Sequence, residues 1–478
     1  MKREQYDLIV VGTGFASTFF LWQYLKKAPK DRKVLILERG YVFPHADRRR
    51  HLAGEDIPSA KLNPGHNQAF INKHPDKHWI FTLGFGGSSN CWYGCTPRFL
   101  PSDFQLKTLH GIGADWPVQY DELEPYYSIV EKLMGIAGPD ETPFPKSEAY
   151  PLPPHRLSTV DKLLKDKYGK LYISQPTARA SQPVNGRNTC CASAVCSVCP
   201  VNAKFTIENS QMGVYEDDRV ELLYGAHVHS LDLAGDKADK VHFVQNAKEH
   251  SVRGEVIALG ANAIFNANIL LNSNDRSPFT GKGLGEQLGV DALVYLKDLN
   301  NVGGSTWVNA NGYMLYDGDH RKEYAACLME SNNAPFIRLE SGKWRHLATF
   351  RMIFEDLPRD ENFVSKGEDR FKPETHFEGH SDYTMKAMDK MKEKLPDVLS
   401  CLPVERIEYK DPFKTEAHIL GTTRMSKDAH SGVVDKNLIH HHYRNLFVLG
   451  GGSFVTYTPN NPTLTLSALS LLSADRSF

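Results

Sequence analysis

The sequence predicts an α/β chain in two parts, a Rossmann-like nucleotide-binding domain assembled from separated stretches and an antiparallel-sheet substrate domain inserted between them. Three observations carry this. Residues 6–38 read as a strand, a glycine turn, a helix and a second strand that ends in an acid; apolar runs leading into a helical pattern return at 256–271; and residues 292–364 change to short β-prone runs broken by turn signals. The expected division is 1–290 for the first parts of the nucleotide-binding domain, 291–410 for the substrate domain, and 411–478 for the return to the first domain.

In the first unit, the apolar run Leu8 to Val11 meets Gly12, Thr13 and Gly14 at once. Gly12 permits a tight turn and Gly14 lets backbone approach a pyrophosphate, whose charge the positive end of the following helix would hold. Phe15 and Ala16 open that helix. Ser17 stands where the third glycine of the fingerprint usually is, and is still small. The second run, Val34 to Leu37, ends in Glu38, placed to accept hydrogen bonds from a ribose diol, with Arg39 beside it. The order of these parts points to an adenine dinucleotide.

With 478 residues the chain has room for two or three domains. A net charge of -1 gives no electrostatic footprint for nucleic acid or an anionic membrane. No run approaches the ~20 apolar residues of a membrane span, and the first strand follows no signal-like segment. The expectation is a cytoplasmic protein without an integral membrane segment, or a periplasmic one if a partner subunit carries it. His45, His51, His66, His74 and His78 show no ligand-like spacing and read as ordinary surface or core residues. Of the eight cysteines, Cys190, Cys191, Cys196 and Cys199 are crowded together and look like a site rather than a disulfide framework. Three thiolates would suit a [3Fe-4S] cluster and four a [4Fe-4S] cluster, with buried thiols or a disulfide as the alternative.

Several later stretches offer ligand contacts. Gly86, Gly87, Ser88, Ser89 and Asn90 present backbone donors and hydroxyls. Residues 115–138 read as a turn and a helix from near Asp121, and the proline-rich 139–154 as a connection. Val256 to Leu259 runs into Gly260 and a helix. Gly281 to Gly289 follows no strand and is not a second nucleotide fingerprint. In the inserted region, Asn311-Gly312 and Asp317-Gly318 are the clearest turn signals, and Trp307, Tyr313, Tyr316, Trp344 and Phe350 are candidates for a stacking surface. A capped helix is expected over Ser381 to Leu395, with Met385, Met388, Met391 and Leu395 on one face. Near the end, a strand runs into Gly450, Gly451 and Gly452, suited to passing close under a ring system. Alcohol oxidation by hydride transfer needs a base for the hydroxyl proton and a group that fixes the oxygen. His418 is the candidate base and Asn461, followed by Pro462 and Thr463, the candidate partner.

The stretch from Gly86 to Trp92, with Thr96, Pro97 and Arg98, resembles the flavin-contacting motif of the glucose-methanol-choline (GMC) oxidoreductases, nearest the pyranose oxidase and sugar dehydrogenase branch. His418 before an LGT turn, with Asn461 in the last segment, resembles that family's C-terminal catalytic pair. The resemblance implies FAD as cofactor, with Gly86, Gly87, Ser88, Asn90, Cys91, Trp92, Val228, Gly260, Gly451, Gly452, Asn461, Pro462 and Thr463 among its contacts. It implies hydride transfer from a sugar, glycoside or polyol to flavin N5. Where pyranose oxidases join a histidine to the flavin this chain has Cys91, which leaves a cysteinyl link or a small buried thiol beside the ring. The cysteine segment resembles the cluster-binding stretch of sugar and polyol dehydrogenases, down to Pro200, Ala203 and Lys204, but has one residue fewer between Cys196 and Cys199. Such a cluster would pass electrons to a cytochrome or quinone, with a small partner subunit. The alternatives are an oxygen-using oxidase and an NAD(P)H-dependent flavoprotein reductase.

Overall fold

The computed structural model describes residues 3–55, 65–333 and 336–478. Its largest sheet has seven strands: β1 (Gln5–Val11), β2 (Val34–Leu37), β5 (Val220–Leu223), β6 (His227–Ala234), β7 (Lys237–Gln245), β8 (Lys248–Leu259) and β16 (Leu446–Val448). Strand β1 lies parallel to β2 on one side and to β8 on the other. The twelve-residue β8 serves two pairings: its first half is antiparallel to β7, and its second half runs between β1 and β16, parallel to both. Val34 to Leu37 and Leu8 to Val10 are wholly buried, as expected of a parallel sheet covered on both faces. The helices Phe15–Lys27 and Thr463–Ser477 pack on one another, so the two chain ends complete one core.

The second sheet is antiparallel throughout, in the order β15 (Val404–Tyr409), β9 (Leu288–Leu296), β12 (Leu347–Phe354), β11 (Cys327–Asn332), β10 (Val308–Leu315) and β4 (Tyr172–Ser174). It is thus built mainly from the inserted region. It also takes β4 from before residue 290, and β9 begins at Leu288, three residues ahead of the expected start at 291. A small third sheet joins β3 (Ile71–Asn72), β13 (Phe363–Ser365) and β14 (Glu374–His376).

The turn expected at Asn311-Gly312 lies instead inside β10, opposite Glu330 and Met329. Asn311 is fully buried, and a side chain at Gly312 would stand 2.8 Å from Met314 Cε and 3.1 Å from both Met329 and Tyr172. This glycine makes room for neighbouring side chains. Asp317-Gly318 does turn the chain, with Gly318 at φ +146°. The helix expected from Ser381 is Asp382–Val398, with Ser381 Oγ accepting the Thr384 N–H; Met391 and Leu395 are buried, but Met385 is exposed. Among the described residues no helix is long and apolar enough to cross a membrane.

Candidate active site

One cavity of about 1010 Å³ is walled by residues from both large sheets. Of the residues expected to touch a cofactor, Gly12, Gly14, Phe15, Ala16, Glu38, Arg39, Gly87, Ser88, Cys91, Trp92, Val228, Gly260, Gly451, Asn461, Pro462 and Thr463 line it, and so does His418. Gly86, Asn90 and Gly452 do not line it but shape its wall from behind. Gly86, at φ +81°, donates its N–H to Thr13 Oγ1 at 3.0 Å. Asn90 Nδ2 braces the same loop on Phe85 O at 2.8 Å. A side chain on Gly452 would meet Thr423 Oγ1 at 2.6 Å.

The end of the cavity near β1 has the donors and the space that a dinucleotide needs. Gly12 turns at φ +91°, so close to β8 that a Cβ would stand 2.7 Å from Gly260 O. Gly14 has nothing within 4 Å of its would-be Cβ, which leaves open space over the start of the helix Phe15–Lys27. That helix has no side-chain cap and no acid in its first turn, so its free N–H groups are available to an anion. Glu38 is held beside the cavity by Thr13 Oγ1 at 2.6 Å and the Gly40 N–H at 2.8 Å. Arg39 lies over the Phe265 ring at 4.7 Å, and its buried Nη1 has no partner among the described residues. Burial holds this guanidinium down at about 10, which a bound phosphate would relieve. The residues present therefore fit an adenine dinucleotide.

His418 stands at the other end. Glu286 Oε2 accepts the His418 N–H, the Glu416 N–H and the Thr415 hydroxyl, all at 3.1 Å, while its other oxygen is ion-paired with buried Lys77. This pins the loop 415–418, in which Ala417 takes a left-handed φ of +60°. His418 Nδ1 lies 3.0 Å from Gln287 Oε1. Burial of the ring, and then the charge of Lys77, push the imidazole down to about 4. The base form is therefore present across neutral and weakly acid pH and is lost only as pH falls through about 4. We expect the acid limb of kcat/KM against pH near 4; a limb at the ordinary histidine value of 6.5 would contradict the geometry. Asn461 lines the same cavity, and its buried Oδ1 has no partner among the described residues. Its neighbour Asn460 donates to Arg98 O and to Tyr316 Oη, both at 2.9 Å, which ties this turn to the 86–98 loop and to the second sheet.

Sequence reasoning missed the wall contributed by the second sheet. Asp291, Glu330, Arg351 and Glu416 line the cavity there. Arg351 bonds Asp291 through Nε and Nη2, at 2.9 and 3.3 Å, reaches Glu416 at 3.5 Å, and stacks on Phe413 at 3.7 Å. Burial, and then Glu416, push Glu330 up to about 7, while burial takes Glu416 to about 6. The available signal was a charge in the middle of an apolar strand, Glu330 in CLMESN and Arg351 in LATFRMIF. Of the five aromatic residues expected to form a stacking surface, only Trp307 lines the cavity; Tyr313, Tyr316 and Phe350 are core, and Trp344 is 63% exposed.

The cysteine segment does not fit the expected iron-sulfur cluster. Among the described residues no three His, Cys, Asp or Glu side chains gather where they could hold a metal, and Cys190, Cys191, Cys196 and Cys199 are all free thiols. Ala192 and Ala194 both take left-handed φ, which turns the chain between the adjacent pair and the later two. Cys191 is exposed and Cys196 buried; Cys190 Sγ lies 3.5 Å from Thr306 Oγ1, and Cys199 Sγ accepts the Ala203 N–H at 3.2 Å. The segment serves instead as a wall, with Ser193, Ala194, Val195 and Ser197 lining the cavity. Lys204 Nζ bonds Asn90 O and Trp92 O at 3.1 and 2.8 Å, which joins this wall to the 86–98 loop.

Residues 362–470 match the family model described as GMC oxidoreductase. The fructose dehydrogenase large subunit of Gluconobacter japonicus is 27% identical to this chain, over 98% of it and 97% of the relative. Paromamine 6'-oxidase of Streptomyces fradiae is 25% identical over 98% and 90%. Among solved structures, pyridoxine 4-oxidase from Mesorbium loti shares the fold, with a TM-score of 0.67 at 16% identity and 99% of each chain covered.

Proposed function

We propose that this chain, a GMC oxidoreductase, is an FAD-dependent dehydrogenase that oxidises a hydroxyl group of a sugar, glycoside or polyol. The observation that carries the reading is the His418 imidazole, set in the wall of the same cavity as a dinucleotide cradle. When bound, FAD supplies the hydride acceptor, its N5. The chain does the rest. Gly12, Gly14 and the uncapped helix start hold the diphosphate, Glu38 takes the ribose hydroxyls, and the 86–92 loop with Gly451 closes on the ring. His418 Nε2 takes the hydroxyl proton as the hydride leaves, and Asn461 holds the oxygen through its amide. Trp307 offers a face to a sugar ring, and Glu330, Asp291 and Arg351 receive its other hydroxyls. Electrons leave to an acceptor other than oxygen, a quinone or cytochrome, with a small partner subunit. Similarity to a fructose dehydrogenase large subunit supports this, while similarity to paromamine 6'-oxidase favours the oxidase as the second reading.

The test is anaerobic bleaching of the flavin by a panel of sugars and polyols, followed by reoxidation with air or with a quinone analogue. Bleaching by a polyol and faster reoxidation by the quinone support the dehydrogenase. Faster reoxidation by air makes the protein an oxidase. Bleaching by NADPH and by no hydroxyl compound overturns the reading.

A further inference from the structure

We infer that Gln287 is a positioning residue that selects the form of His418 in which Nδ1 carries the proton and Nε2 is the base. The inference rests on His418 being the proton acceptor of the proposed reaction. Gln287 is 1% exposed, and its Nε2 donates to Thr458 O at 2.7 Å and Asn460 O at 3.2 Å. Both partners are carbonyl oxygens, which can only accept. A flipped amide would aim its own oxygen at them, so the network fixes the amide's orientation. Its Oε1 is thereby left to His418 Nδ1, 3.0 Å away, and can only accept. Nδ1 must then be the N–H, and a neutral imidazole with its proton there keeps a lone pair on Nε2.

The same side chain also ties together the two halves of the catalytic pair. Thr458 and Asn460 belong to the turn that presents Asn461, so one amide sets the ring of the base and the approach of its partner. Glu286, the preceding residue, fixes the backbone of the 415–418 loop. Two consecutive residues thus hold the loop and the ring separately. Of the charged groups nearby, Lys77 acts on the ring and is paired with Glu286, while Glu416, Arg351 and Asp291 form a separate network on the cavity wall.

The experiment joins spectroscopy to kinetics on the flavin-loaded protein. Ring-¹⁵N histidine labelling, with the His418 signals assigned by their absence in His418→Ala, should show a protonated Nδ1 and an unprotonated Nε2 at pH 7. In Gln287→Leu, kcat should fall about 10–100-fold with KM within about twofold and flavin content unchanged, the scale of loss found on removing a group that orients a metal-ligating histidine. In Gln287→Glu, the oxygen that faces the two carbonyls must carry the carboxyl proton, so the other still accepts from the Nδ1–H and kcat should be largely restored relative to Gln287→Leu. A wild-type spectrum with the proton on Nε2 overturns the inference; so does less than about threefold loss of kcat in Gln287→Leu. The wild-type spectrum decides even if a variant fails to fold. Failure of the proposed reaction would show elsewhere, as unchanged turnover in His418→Ala, while the ring signals still report on Gln287.

Discussion

His418→Ala should retain its flavin and lose about 10²–10⁴-fold in kcat, the range set by removing a positioned general base. The expectation follows from where the residue sits. The loop that carries it is held by Glu286 through three hydrogen bonds, two of them to backbone N–H groups, so the loop keeps its course without the imidazole. The dinucleotide cradle is built from β1, β2 and β8 and owes nothing to the ring. Anaerobic stopped-flow bleaching isolates the reductive step and therefore measures this loss directly. Bleaching at the wild-type rate, with flavin bound at full stoichiometry, would remove His418 from the chemistry and leave a flavin-binding protein in search of another base.

Gly12→Ala should yield a destabilised protein that does not hold flavin, and the paired Gly14→Ala a stable one that holds it weakly. At Gly12 the backbone is at φ +91°, and a methyl group would stand 2.7 Å from Gly260 O, a backbone atom of the neighbouring strand that cannot swing aside. A non-glycine residue held in that region costs on the order of 1–3 kcal/mol, and the displaced strand junction is the floor of the cradle. At Gly14 φ is -75°, ordinary for alanine, and nothing in the protein lies within 4 Å. The added methyl group meets only the space where a diphosphate would lie. Thermal melting and the ratio of flavin to protein absorbance separate the two effects. Equal melting temperatures for both variants, or full flavin in Gly12→Ala, would show that the turn tolerates a side chain and that the cradle is wrongly placed.

The nucleotide-binding unit was legible because its code is local. The turn at Gly12, the open approach at Gly14 and the acid at the end of β2 lie within residues 6–38, and each depends on backbone conformation that neighbouring residues set. The candidacy of His418 and Asn461 rested on family resemblance alone, since nothing local marks a lone histidine or an Asn-Pro turn; what the structure adds is that both line one cavity. Asn311-Gly312 shows the limit of local signals. In an exposed loop that dipeptide makes a hairpin, but here pairing on both edges of β10 and burial of Asn311 decide the conformation. The cysteine segment shows another limit. Four thiols crowded in sequence read as a cluster site, but spacing does not report how the side chains are directed, and among the described residues no three of them gather where they could hold a metal.

The sequence by itself determined that a dinucleotide fold is present, where its glycine turn lies, which acid ends its second strand, and which histidine and asparagine are candidates for the chemistry. Only the tertiary structure decided what surrounds that histidine. Gln287, Glu286 and Lys77 gather behind the loop that carries it, and Glu330 and Arg351 line the cavity it faces; they come from four separate stretches of chain that sheet pairing and core packing bring together. A side chain's partners across a sheet or cavity are fixed by long-range burial, and no periodicity or spacing in the chain encodes which nitrogen of His418 is left free.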